Sequence, residues 1–156
     1  MRVLGIDPGY GRCGMAILEK EGGREIVVYS TCIETSPEST FPERLKEVVD
    51  ACAALIEKYE PSALVLERLY FNSNQKTAMH VAEVRGALTY AAARAGISLS
   101  EYTPAQVKSA TTGWGKSDKK GVARMLHALL KIEKKIEHDD EYDAIALGVT
   151  HLAHTR

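Results

Sequence analysis

Apolar residues along this chain follow two different periods, and the switches between them outline its elements. Val3-Leu4-Gly5-Ile6 is a continuous apolar run closed by Asp7, the pattern of a buried strand that ends in an acid. Residues 13–19 and 25–34 read as two further strands joined by the turn Glu21-Gly22-Gly23-Arg24, which makes the first three strands an antiparallel meander. The spacing then becomes helical, with Leu45, Val48, Val49, Cys52, Leu55 and Ile56 on one face. Thr40 can cap this helix, Pro42 sits in its first turn, Glu43 completes a capping box, and Glu60-Pro61-Ser62 ends it. Ala63-Leu64-Val65-Leu66 is a second short apolar run closed by an acid, Glu67.

A second helix is predicted over about 75–95, stopped by Gly96. Its small residues Ala78, Ala82, Gly86, Ala87, Ala91 and Ala92 would let another helix approach closely, from this chain or from a second copy. Residues 97–102 form the fifth strand, and Thr103-Pro104-Ala105-Gln106 repeats the capping box to open a short helix. Residues 111–115 read as a loop and 119–131 as a helix, and Asp139 or Asp140 caps a last helix to about His154. The order βββαβαβααα predicts an α/β fold, a five-stranded mixed sheet flanked by helices, in one domain spanning residues 1–156.

At 156 residues, 45% hydrophobic and 26% charged, the chain can bury a core of its own. Three cysteines without a CxxC pair exclude a disulfide scaffold or zinc ribbon and fit a reducing, cytoplasmic setting. No apolar run approaches the ~18 residues of a membrane helix. Met1 leads straight into the first strand, which leaves no room for a signal peptide. The net charge of -1 points to no partner, but its distribution does. Residues 108–136 carry 8 basic and 2 acidic side chains, and residues 137–156 carry 1 basic and 5 acidic. A basic block abutting an acidic cluster suggests a polyanion held beside metal-binding carboxylates.

The carboxylates are the sharpest signal. Asp7 and Glu67 end two strands, and strands ending at the same sheet edge would bring them together. Asp140 and Asp143 lie on one helix face, about 5–6 Å apart at Cβ. Four carboxylates from three elements suit a pair of Mg²⁺ ions, which take oxygen ligands. Two such ions can activate a water and steady the departing oxygen of a phosphodiester. The five histidines show no metal-ligand spacing. Trp114, between Gly113 and Gly115, reads equally as a core anchor or as a loop tip that touches DNA.

Gly5-Ile6-Asp7-Pro8-Gly9, Leu66-Glu67-Arg68, Gln106-Val107-Lys108 and Asp140-Glu141-Tyr142-Asp143-Ala144-Ile145-Ala146 stand in the order and spacing of the RuvC family of Holliday junction resolvases, which the whole chain resembles. The resemblance implies a ribonuclease-H-like fold, a homodimer, and Mg²⁺-dependent endonuclease activity on four-way DNA junctions, with Mn²⁺ as a substitute metal. It implies nicks with a 5′ phosphate and a 3′ hydroxyl, and partnership with the branch-migration proteins RuvA and RuvB. The family's four acids, which are both catalytic and metal-binding, fall on Asp7, Glu67, Asp140 and Asp143. Its phosphate-contacting lysines fall on Lys108 and Lys119, and its base-wedging aromatic on Tyr70, with Phe71 adjacent. Asp139 beside Asp140 leaves the first helix ligand open by one residue, and the choice between Tyr70 and Phe71 is likewise open.

Three rivals remain at this level. An actin-like or sugar-kinase-like ATPase shares the Gly-Ile-Asp-Pro-Gly turn but needs two domains. A catalytically silent ribonuclease-H-like module would bind branched nucleic acid without cutting it. A ribonuclease of the same fold would cut RNA in hybrids.

Overall fold

The computed structural model describes residues 1–69 and 75–155. Tyr70 and Phe71 lie outside them, so the placement expected for the wedge aromatic does too. The elements are β1 (Arg2–Asp7), β2 (Arg12–Glu21), β3 (Arg24–Glu34), α1 (Phe41–Tyr59), β4 (Ala63–Glu67), α2 (Gln75–Arg94), β5 (Ser98–Tyr102), α3 (Pro104–Thr112), α4 (Lys119–Leu129) and α5 (Asp139–His154). The five strands form one mixed sheet in the order β3-β2-β1-β4-β5. β1 is antiparallel to β2 and parallel to β4, and β4 is parallel to β5. Among the described residues no helix is long and apolar enough to cross a membrane.

Most predicted boundaries and caps recur. Thr40 N donates to Glu43 Oε2 at 2.7 Å, and Thr103 N to Gln106 Oε1 at 2.8 Å. Glu60 (φ 48°) and Gly96 (φ 71°) take the left-handed conformation where α1 and α2 end. Two local expectations need correction. Thr111 and Thr112 are the last turn of α3, not loop, because Gly113 (φ 76°) supplies the stop one residue later. Neither Asp139 nor Asp140 caps α5: His138 is the N-cap, and both acids fall inside the first turn. There they stand at the positive end of the helix dipole.

Each sheet face is covered. Leu4, Ile6, Met15, Ile17, Leu64 and Leu66 pack under α1 and α2 with Val48, Cys52, Val84 and Leu88. Val3, Ala16, Leu18, Ala63 and Val65 pack under α3, α4 and α5. Side chains alternate along a strand, so Asp7 shares a face with Val3 and Gly5, and Glu67 with Ala63 and Val65. Both acids therefore turn towards α5. That helix is apolar nearly all round, with Ala144–Leu152 buried, since it lies across the sheet and beneath α3 and α4. It reaches the sheet through glycines. A Cβ on Gly14 would stand 1.8 Å from the Asp140 carbonyl oxygen, and one on Gly5 2.2 Å from that of Ala144.

Candidate active site

The parallel pairing of β1 with β4 sets Ile6 beside Leu66, which leaves Asp7 and Glu67 together where both strands end. β1 also pairs Asp7 with Gly14, the residue on which α5 begins. Asp140 and Asp143 enter from that first stretch of α5. Four carboxylates thus gather at one end of the sheet.

Their titration reports the crowding. Burial, then the charges of Asp143, Asp140 and Glu67, push Asp7 from 3.8 up to about 7. Burial and then Asp143 raise Glu67 as well. Asp143 is raised by burial despite the opposing ammonium of Lys119. Lys119, at the start of α4, donates to Asp143 Oδ2 at 3.2 Å and stands 3.9 Å from Asp139. Burial would lower the Lys119 ammonium, but Asp143 and then Asp139 and Asp7 hold it above its ordinary value.

The two neighbouring aspartates differ. Asp139 is 71% exposed and Asp140 22%. Asp140 Oδ2 is buried with no hydrogen-bond partner; Arg12 Nε lies 3.2 Å away without the alignment of a hydrogen bond. Arg12 in turn meets His138 at 3.4 Å, and His138 pairs with Glu34 at 2.6 Å. Beyond Asp140, the buried Glu141 pairs with Lys134, which also donates to the Ser30 carbonyl on β3. Arg85 of α2 donates to the backbone carbonyl of Glu67 and pairs with Glu101.

A cleft of about 270 Å³ opens beside these acids, lined by Glu67, Asp143, Lys108, Lys119, Pro104, Val107, Val122 and Ala146. Lys108 and Lys119, both singled out in the sequence, therefore face one cavity together with two of the acids. Among the described residues no three acids, histidines or cysteines stand close enough to form a ready-made metal cage, and Lys119 is the cation among the carboxylates. The donors nevertheless fit Mg²⁺. They are all carboxylate oxygens, one is a buried orphan, and their mutual repulsion is what a divalent cation would relieve. His151, two turns along α5, is held away from the acids by Tyr102 Oη at 3.0 Å.

Sequence reasoning missed Arg12, His138, Lys134 and Arg85, whose partners lie 7 to 128 positions away and carry no local pattern. It also missed Gly5 and Gly14, which are recognisable only as alternating small residues on the strand face that carries Asp7.

The family profile described as "Crossover junction endodeoxyribonuclease RuvC" matches residues 3–151. A protein of that name from Brevibacillus brevis is 40% identical over 97% of this chain and 91% of its own length. Its namesake from Petrotoga mobilis is 42% identical over 97% and 93%. Among solved structures, Thermus thermophilus RuvC superposes with a TM-score of 0.90 at 29% identity, covering 100% of this chain and 96% of that one. The same Thermus protein in complex with Holliday junction substrate gives 0.89 at 27% identity, with the same coverage. The ribonuclease-H-like fold expected from the sequence is thus observed, and with profile and relatives agreeing over nearly its full length, this chain belongs to the RuvC family of crossover junction endodeoxyribonucleases.

Proposed function

We propose that this chain is a Mg²⁺-dependent endodeoxyribonuclease that resolves four-way DNA junctions by paired nicks, in recombination and DNA repair. The observation that carries it is the gathering of four carboxylates from three elements beside a cleft lined by two lysines. The names of the relatives and the junction-bound Thermus protein supply the substrate class.

Asp7, Glu67, Asp140 and Asp143 would hold two Mg²⁺, and Mn²⁺ takes the same hard donors. Bound there, the ions supply Lewis-acid stabilisation to the attacking and departing oxygens of a phosphodiester. The chain's own part is positioning. Val107, Val122 and Ala146 are buried and floor the cleft with apolar surface that excludes water. Lys108 and Lys119 take phosphate oxygens, and Tyr70 or Phe71 stacks on bases opened at the crossover. Arg12 steadies Asp140 from the side, and Arg85 fixes the strand end that presents Glu67.

Lys108→Ala and Lys119→Ala should each weaken junction binding and lower the slope of log affinity against log salt by about one, the value of one phosphate contact. Filter binding or anisotropy in EDTA at several salt concentrations measures this. Two unchanged slopes would reduce the basic block to a solvated surface.

One site cuts one strand, so paired cuts need two sites related by symmetry, and the reading includes a C₂ homodimer. α2 supplies the surface. Val84, Leu88 and Ala92 are buried inward, whereas Met79 is 64% and Tyr90 67% exposed. A Cβ on Gly86 would meet nothing within 4 Å, so the isolated chain tolerates a side chain there. Gly86→Leu and Tyr90→Asp should keep the fold but sediment as monomers, and should convert paired nicks to single ones. A dimer that survives both substitutions would place the interface elsewhere. RuvA and RuvB as partners, and action in the cytoplasm, complete the reading on family resemblance.

A further inference from the structure

Trp114 is the single tryptophan of the chain and is 63% exposed, against the ordinary fate of so large an apolar ring. Its loop is nonetheless firmly held. Gly113 (φ 76°) turns the chain sharply out of α3. Thr112 Oγ1 donates to the Lys108 carbonyl at 2.8 Å and accepts from Trp114 N at 3.1 Å. Ser117 N closes the loop on the Trp114 carbonyl at 3.1 Å. A Cβ on Gly115 would come within 3.3 Å of the Ala105 carbonyl oxygen, so the loop lies against the start of α3, where Pro104 lines the cleft. The loop also joins the helix carrying Lys108 to the helix carrying Lys119, both of which line that cleft.

The surroundings select the occupant. Along the chain Trp114 is flanked by Gly113, Gly115 and the exposed Lys116, and among the described residues of this loop it is the one exposed large apolar side chain. Among the described residues Lys116 has no carboxylate within 4.0 Å. A largely exposed aromatic ring on a firmly held loop, next to an unpaired lysine, is a combination that binds single-stranded nucleic acid, with the ring on a base face and the cation on a phosphate. Because the loop backbone is already held, stacking a base there orders little more than the side chain itself.

We propose that Trp114 is a nucleobase-stacking contact at the rim of the cleft, meeting bases unpaired beside the phosphate to be cut. The proposal rests on the junction-nuclease reading and assigns a further contact to it.

Because Trp114 is the sole tryptophan, its emission reports on this position alone. A synthetic four-way junction titrated in EDTA, where it stays uncut, should strongly quench that emission at saturation. Trp114→Ala should bind the junction about tenfold more weakly, within the usual worth of one stacked base, and Trp114→Phe should recover most of the loss. Both variants should melt with the wild-type protein, since the ring buries little. Unchanged emission at saturation, or equal affinity of Trp114→Ala and wild type, overturns the proposal. So does emission that follows protein concentration but not DNA, which would put the ring in a protein interface. Wild-type protein that fails to bind the junction at all would instead overturn the junction reading itself.

Discussion

Asp7→Asn is expected to reduce junction cleavage by about a thousandfold or more and, in the same protein, to raise the melting temperature of the metal-free fold at pH 8. The first effect follows from losing a ligand of ions whose charge stabilisation is worth several kcal/mol, with about 1.4 kcal/mol for each tenfold in rate. The second follows from the crowding that burial, Asp143, Asp140 and Glu67 impose on Asp7. Its pKa is about 7 in the fold against 3.8 unfolded, so the native state prefers the neutral carboxyl. Stability present below about pH 4 is lost as the pH rises through 7. Asparagine keeps the shape and removes that loss. Without divalent ions the wild-type melting temperature should therefore fall between pH 5 and pH 8. The fall should be smaller in Asp7→Asn, which retains only the contributions of Glu67 and Asp143, both also raised by burial. Mg²⁺ should restore the wild-type protein at pH 8 by binding the native state alone, and should do far less for the variant. Asp139→Asn should leave cleavage nearly intact, since that side chain is 71% exposed. Parallel melting curves for wild type and Asp7→Asn would expose a wrong account of the acid cluster.

Gly14→Ala is expected to be the most damaging single methyl group in the chain. The new Cβ would sit 1.8 Å from the Asp140 carbonyl oxygen, 2.3 Å from its carbon and 3.0 Å from Glu141 N. All three are backbone atoms at the start of α5, so no side chain can swing away. The helix must move off the sheet, and it carries Asp140 and Asp143 with it. Overpacking of this kind costs about 1–3 kcal/mol or more, here about 3, which lowers the melting temperature of a chain this size by roughly 6–12 °C. Cleavage should fall even at temperatures where the protein stays folded, because the displaced acids no longer face Asp7. Gly86→Ala is the contrast. It adds a methyl group with nothing within 4 Å on the exposed face of α2 and should be neutral or slightly stabilising to the isolated fold. A Gly14→Ala protein that melts and cuts like wild type would mean that α5 is not seated on this glycine.

These two positions also mark where the sequence was legible. The strand-final acids Asp7 and Glu67 could be read because an apolar run closed by a carboxylate is a local pattern. The strand–helix order predicted a mixed sheet but not which strands are neighbours, so the parallel pairing that joins them was left as a condition. Their shared direction towards α5 was available in principle, since they have the same parity as Val3, Gly5, Ala63 and Val65. The cap of α5 was misplaced because aspartate is favoured both at an N-cap and in a first turn, and only the backbone of His138 separates the two. Trp114 was undecidable because its exposure depends on how the loop folds against Ala105. Arg12 beside Asp140 and His138 beside Glu34 join groups far apart in the chain, and charge alone does not announce its partner. The family motifs carried the assignment of site residues across that gap.

The most direct measurement is cleavage of a synthetic four-way junction, end-labelled on each strand, by the purified protein with and without Mg²⁺. The account predicts symmetric nicks in two opposed strands that depend on the ion, can be sealed by ligase, and vanish in Asp7→Asn although the variant still binds the junction. Binding without any cut by wild-type protein would leave a silent junction-binding module, and equal cutting of linear duplex or an RNA–DNA hybrid would contradict selectivity for the junction.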